Sequence, residues 1–242
     1  MSYKAARMGL MTLIVLGVSG ASLRADDSQA ASPSAKGSSR AGALGIVGDA
    51  GYYTYGMEEV KARYNGQSGG SFDGGLGYGA ALKLYLTDQL AAKVGIDYLF
   101  ASKDSTRTIG GVAYATHVDM PATLTFFGGE FDLIPLGPVN LKLIGGFTLV
   151  NIFNGKEQGT NGNTLDLGTI SGSGTGFQVG AGLEVYLAPS LSLEADLGYN
   201  HARIDGATFA GAAADPNSVD SHGAVDYSGM MAKVAVTLYL HP

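Results

Sequence analysis

The sequence predicts an all-β chain: an eight-stranded antiparallel up-and-down transmembrane β-barrel over about residues 43–240. Three observations predict it. Apolar residues alternate with polar or small ones, the period of a strand. The connections between strands alternate strictly between long and short. Charged residues keep to one face of each strand.

Composition narrows the alternatives. The chain has 242 residues, 38 of them glycine, roughly twice the usual share. Charged residues make up 15%, below the usual quarter. Cysteine is absent, which removes a disulfide scaffold, a thiolate metal site, a cysteine nucleophile and a lipidated cysteine. A net charge of −6 argues against nucleic acid as a partner. The glycines follow no collagen period, and 45% apolar residues are too many for a wholly disordered chain.

Residues 1–25 read as a secretory signal. Lys4 and Arg7 open it, Met8–Gly17 form a short apolar core, and Ala21 or Ala25 precedes the cut. That core is too short to span a bilayer as a helix. Cleavage after Ala25 removes Lys4, Arg7 and Arg24 but no acid, leaving the mature chain more acidic. Residues 26–42, rich in Ser, Ala and Asp, read as a disordered periplasmic tail.

Eight strands follow, at about 43–56, 75–87, 90–102, 112–133, 139–154, 175–187, 191–204 and 227–240. Most exceed the five or six residues of ordinary strands and suit a tilted crossing of the bilayer. The connections 57–74, 103–111, 155–174 and 205–226 are long, and 88–89, 134–138 and 188–190 are short. Short turns on the periplasmic side and long loops outside are the pattern of an outer-membrane barrel. Asp88, Pro135, Pro138 and Pro189 supply turn chemistry at the short ends.

Charge fixes the register, because a Lys facing lipid at the midplane costs about 2–4 kcal/mol. Lys233 lies about 16 Å above Leu240 on a strand tilted about 45°, so it must point inward. Val234, Val236, Leu238 and Leu240 then face lipid. The same rule, strand by strand, puts Asp49, Lys83, Lys93, Asp97, Glu130, Lys142, Glu184, Glu194 and Asp196 inward with Lys233. A slip of one residue would put every one of them into lipid. This inward set reads either as an ion pathway or as a salt-bridge network that fills the lumen. Eight strands leave only enough width for side chains, which favours the network. Glycines such as Gly51, Gly79, Gly95 and Gly182 relieve crowding in so narrow a sheet. Tyr52, Tyr78, Tyr98, Phe100, Phe147, Phe153, Phe177, Tyr199 and Tyr227 are placed to form interfacial girdles.

An internal repeat runs through the barrel at an offset of 101. Residues 79–98 (GAALKLYLTDQLAAKVGIDY) align without gaps to 180–199 (GAGLEVYLAPSLSLEADLGY). Lys83 and Lys93 of the first copy become Glu184 and Glu194 in the second. Three strands end in Tyr-Leu, at Tyr85, Tyr186 and Tyr239.

The signal segment, the eight long alternating strands and the alternating gaps resemble the small outer-membrane barrels of the OmpA membrane-domain and OmpX type. The resemblance covers about 43–240 and rests on architecture. It implies a bacterial outer-membrane location, with membrane lipid and the barrel-assembly machinery as partners, and an extracellular ligand met through the loops. Such barrels usually end in an aromatic residue; here His241 and Pro242 follow Leu240. Some eight-stranded outer-membrane enzymes act on lipid, and the deacylase kind carries His-x-Ser-Asn. After His201 stand Ala202 and Arg203, so that match fails. His117, His201, His222 and His241 lack metal-ligand spacing. Asp205, Asp215, Asp220 and Asp226 lack a calcium-loop spacing. No catalytic, metal or cofactor site is expected. The functional expectation is a structural or surface-interaction barrel, with a small-solute or ion channel and a lipid-modifying enzyme as alternatives.

Overall fold

The computed structural model describes residues 40–63, 72–109, 111–136, 139–211 and 221–240. The expected signal segment and residues 26–39 of the expected tail lie outside them, as do His241 and Pro242. The described residues form eleven strands and one short helix: β1 (Leu44–Thr54), α1 (Glu58–Arg63), β2 (Gly74–Tyr85), β3 (Leu90–Leu99), β4 (Ser102–Ile109), β5 (Val112–Asp119), β6 (Ala122–Leu136), β7 (Val139–Asn161), β8 (Asn163–Ala188), β9 (Leu191–Gly211), β10 (Ser221–Asp226) and β11 (Gly229–Leu240).

Eight strands close a ring in the order β1, β2, β3, β6, β7, β8, β9 and β11. The ring closes through antiparallel pairing of β11 with β1, from Leu44 opposite Leu240 to Tyr53 opposite Met231. Closure leaves no free edge, the condition for strands in lipid. The short β2–β3 turn is held by Thr87, whose Oγ1 accepts from the Leu90 backbone at 3.0 Å, a common hydroxyl turn.

Exposure alternates along every ring strand. On β11, Val234 is 64% exposed, whereas Tyr239 on the opposite face of the same strand is 4% exposed. Leu82, Ile96, Phe147, Leu183, Leu197, Val236 and Leu238 also stand outward. A water-facing surface does not carry a continuous apolar band of this kind, and lipid is the environment that suits it.

Above the bilayer the structure departs from the expected loops. The fourth strand, expected unbroken over 112–133, is interrupted at Met120–Pro121. Proline lacks an N–H for the ladder. The chain below it pairs as β6 with β3, and the chain above it pairs as β5 with β4 and β7. The expected 103–111 loop is therefore mostly hairpin. The expected 155–174 loop is the outer part of the β7–β8 hairpin, turning at Gly162 with φ of 79°. A bulge at Ile152–Gly155, with Asn154 at φ of 53°, bends that wall. Part of the 205–226 segment extends β9 and adds β10.

These outer walls and α1 enclose an apolar cluster. It includes Tyr53, Met57, Val60, Phe72, Leu99, Met120, Leu124, Ile152, Ile170, Ile204, Val225 and Tyr227. Tyr227, expected in the girdle, is instead buried here at 1% exposure and donates to the Met120 carbonyl at 2.7 Å. The outward rings Tyr78, Tyr98, Phe100 and Phe153 do associate on the surface, with centroids 4.7–5.7 Å apart.

Candidate functional site

The ten inward charged residues all turn into the lumen, and they meet in two groups. The lower group contains Lys83, Lys93, Lys142, Glu130, Glu184, Glu194 and Asp196. The hairpin repeat explains its layout. Lys83 and Lys93 are directly opposite on β2–β3, and Glu184 and Glu194 are directly opposite on β8–β9. Like charges so placed repel within each hairpin. The two hairpins face one another across the lumen, and Lys83 of the cationic pair finds Glu184 and Glu194 on the far wall.

Glu130 of β6 sits between them. Its Oε2 is 2.7 Å from Lys83 Nζ and its Oε1 is 2.6 Å from Lys93 Nζ. Lys83 also reaches Glu184 at 3.4 Å and Glu194 at 3.6 Å. Lys142 pairs with Glu194, with Asp196 at 3.2 Å and with Glu130 at 3.4 Å. Hydroxyls complete the carboxylates: Ser192 donates to Glu184 at 2.7 Å, Tyr239 donates to Glu184 and Thr237 donates to Glu194. Buried charges are tolerated when paired and hydrogen-bonded in this way.

The upper group is smaller. Lys233 lies 3.1 Å from Asp49 and 3.0 Å from Asp97, and Tyr53 donates to Asp97 at 2.8 Å. Two close-packed glycines leave room for carboxylates, one for Asp97 in this group and one for Asp196 in the lower group. A Cβ on Gly79 would lie 2.0 Å from Asp97 Oδ1, and one on Gly182 would lie 2.0 Å from Asp196 Oδ1.

Sequence reasoning missed the layer that closes the barrel end carrying the short turns. Arg40, assigned with Ala41 and Gly42 to the tail, is part of the barrel: Gly42 N–H donates to the Tyr85 carbonyl at 2.8 Å. The Arg40 guanidinium pairs with Asp132 at 2.5 Å and donates to the hydroxyls of Tyr85 and Tyr186. It lies 3.9 Å from the centre of the Tyr85 ring, a cation–π distance. Burial alone would favour the neutral guanidine. Tyr85, Tyr186, Asp132 and Glu184 outweigh it and raise the Arg40 pKa above its ordinary value. Asp132 was within reach of the sequence, two residues beyond Glu130 on the same strand face. Arg40 carried no periodic signal.

The histidines are dispersed. His117 is exposed on β5 between Asp104 at 2.5 Å and Asp119 at 3.1 Å. His201 faces outward on β9 beside Phe177, with Nδ1 3.0 Å from Ser228 Oγ. That hydroxyl also accepts from Ala202 N–H at 3.0 Å, where the partner of β9 changes from β11 to β10. The acid beside the serine, Asp226, accepts from its backbone N–H at 2.8 Å. Among the described residues, no group of three or more His, Asp or Glu side chains is spaced to hold a metal ion. Asp215 and Asp220 lie outside the described residues.

A closed eight-stranded ring, an apolar outer band and an ion-paired interior define a membrane-spanning β-barrel. Residues 13–234 match the family described as outer membrane protein beta-barrel domain, and the chain belongs to that family and to the bacterial outer membrane. A solved structure agrees on the fold: the outer membrane protein OprG from Pseudomonas aeruginosa is 11% identical, with a TM-score of 0.57 over 84% of this chain and 97% of that one. A major outer membrane protein from Thermus thermophilus is 14% identical, with a TM-score of 0.48 over 81% of this chain and 99% of that one. No curated protein sequence matches the chain.

Proposed function

We propose that this barrel has a structural or surface-interaction role, in which the outer hairpins meet an extracellular ligand and the lumen does not conduct. The observation that carries this reading is the filled lumen. Arg40 and its tyrosines occupy the lower end, the Lys83–Glu130–Lys142 group lies above them, and the apolar cluster around Leu99 and Tyr227 occupies the top. Meanwhile β4–β5, the outer β7–β8 hairpin and β9–β10 present a large surface beyond the membrane. Lipid on the apolar band and the barrel-assembly machinery are the partners this role requires.

Single-channel recording in planar bilayers tests it against a channel. The refolded protein is expected to insert without conductance steps, and steady ion-selective steps would replace this reading with a pore. The enzymatic reading rests on His201 and Ser228. Their contact serves the change of strand partner, and Asp226 bonds the serine backbone rather than the imidazole. Activated nucleophiles need a base that is itself oriented. His201→Ala is therefore expected to leave the acyl composition of outer-membrane lipid unchanged in cells expressing the barrel.

A further inference from the structure

A cavity of about 20 Å³ lies in the lumen between the two charged groups. Its polar wall is Asp49, Asp97, Asp196, Lys93, Lys233 and Gln178. The hollow follows from the pairing of β8 with β9. Gln178 pairs with Asn200 and Gly182 with Asp196, and between them Gly180 pairs with Gly198. At that level neither strand sends a side chain inward. Gly95 of β3 leaves a second gap in the wall. The volume exceeds the roughly 10–15 Å³ needed for one water-sized guest.

The wall has oxygens in excess of donors. Gln178 is 5% exposed, and its Oε1 is buried without a hydrogen-bond partner. Asp49 Oδ1 and Asp196 Oδ1 are also buried outside hydrogen-bond geometry, although Lys233 and Lys142 stand 3.1 and 3.2 Å away as ion partners. Buried acceptors are almost always paired with protein or ordered water. Lys93 donates to Glu130 at 2.6 Å, and an ammonium group carries three N–H bonds, so it can also donate into this space.

We propose that the cavity is a binding site for one small tetrahedral hydrogen-bond donor, of the size of water or an ammonium ion. Water would donate to Gln178 Oε1 and to one aspartate while accepting from Lys93. Ammonium would offer four N–H bonds and one positive charge to a wall where three carboxylates face two lysines. Either guest ties β8 to the β1–β11 seam through hydrogen bonds across the lumen. The inference is independent of the surface role and of whether the lumen conducts.

The chain refolded in deuterated micelles, with nitrogen-15 labelling, gives a direct test through nuclear Overhauser transfer to the Gln178 side-chain amide. A slow-tumbling cross-peak from water, unchanged on adding ammonium chloride, identifies water as the guest. Saturable replacement by a cross-peak from labelled ammonium, with no response to choline chloride, identifies ammonium. Ala81 also lines the cavity. Ala81→Val should abolish the peak while the unboiled protein keeps its folded gel mobility. Should that variant fail to fold, Ile144→Phe fills the same space from β7, where Ile144 also lines the cavity. Absence of any cross-peak from either donor in the folded barrel would overturn the proposal, as would a peak that survives filling.

Discussion

Replacing Lys83 by methionine keeps an unbranched side chain, one atom shorter, and removes its charge. The side chains of Lys83, Glu130, Glu184 and Glu194 are all 0% exposed, and the lysine holds the three acids at 2.7, 3.4 and 3.6 Å. The acids do not lose equally. Glu130 keeps Lys93 at 2.6 Å and Lys142 at 3.4 Å, and Glu194 keeps Lys142. Glu184 keeps only the more distant Arg40, at 3.8 Å, among its ion partners described above. Breaking a buried pair by removing one partner costs about 3–5 kcal/mol, and here the cost concentrates on Glu184. Lys83→Met is therefore expected to destabilise the barrel by about that amount. Adding Glu184→Gln should recover part of the loss, with a coupling of about 0.5–3 kcal/mol. Urea unfolding in lipid vesicles measures both. Gel mobility of unboiled samples provides one signal and tyrosine fluorescence another, since the chain has 13 tyrosines and no tryptophan. A Lys83→Met variant within about 0.5 kcal/mol of the parent, the range of surface substitutions, would refute the buried network.

Two further variants probe the ends and the packing of the lumen. Arg40→Ala removes a charged partner from Asp132 and two hydroxyls, so a loss of about 1.5–3 kcal/mol is expected in the same urea assay, with the folded gel mobility retained. Gly79→Ala drives a Cβ to 2.0 Å from Asp97 Oδ1, and overpacking of this kind costs about 1–3 kcal/mol; an unchanged urea midpoint would contradict the close approach of β2 to Asp97.

The ring strands and their register were legible because lipid and lumen impose opposite demands on alternate residues. Lys233 against Val234 shows it within one dipeptide. The fourth strand was harder, since Pro121 splits a run of alternating residues that local pattern alone joins. The outer β7–β8 hairpin was concealed by its glycine and asparagine content, although Leu165 and Leu167 flank Asp166 with the period of a strand. Tyr227 illustrates a different limit. An aromatic residue near a strand end suits either a girdle or a buried core, and only the outer walls decide between them. Arg40 was not legible, because what fixes it is a cage of tyrosines and Asp132 assembled from three distant strands. His201 was visible in the sequence, but its contact with Ser228 was not, because that contact lies across two strands.

The assignment of lipid and lumen faces is tested most directly on β11. Since the chain has no native cysteine, single cysteines introduced from Met231 to Leu240 can carry a nitroxide label in reconstituted vesicles. Collision rates with oxygen and with a water-soluble nickel complex then report each environment. Labels at Val234, Val236 and Leu238 should favour oxygen, and labels at Lys233, Ala235 and Thr237 should be shielded from it, giving a period of two along the strand. Uniform access to the nickel complex, or an alternation shifted by one residue, would contradict the lipid-spanning barrel described by this register.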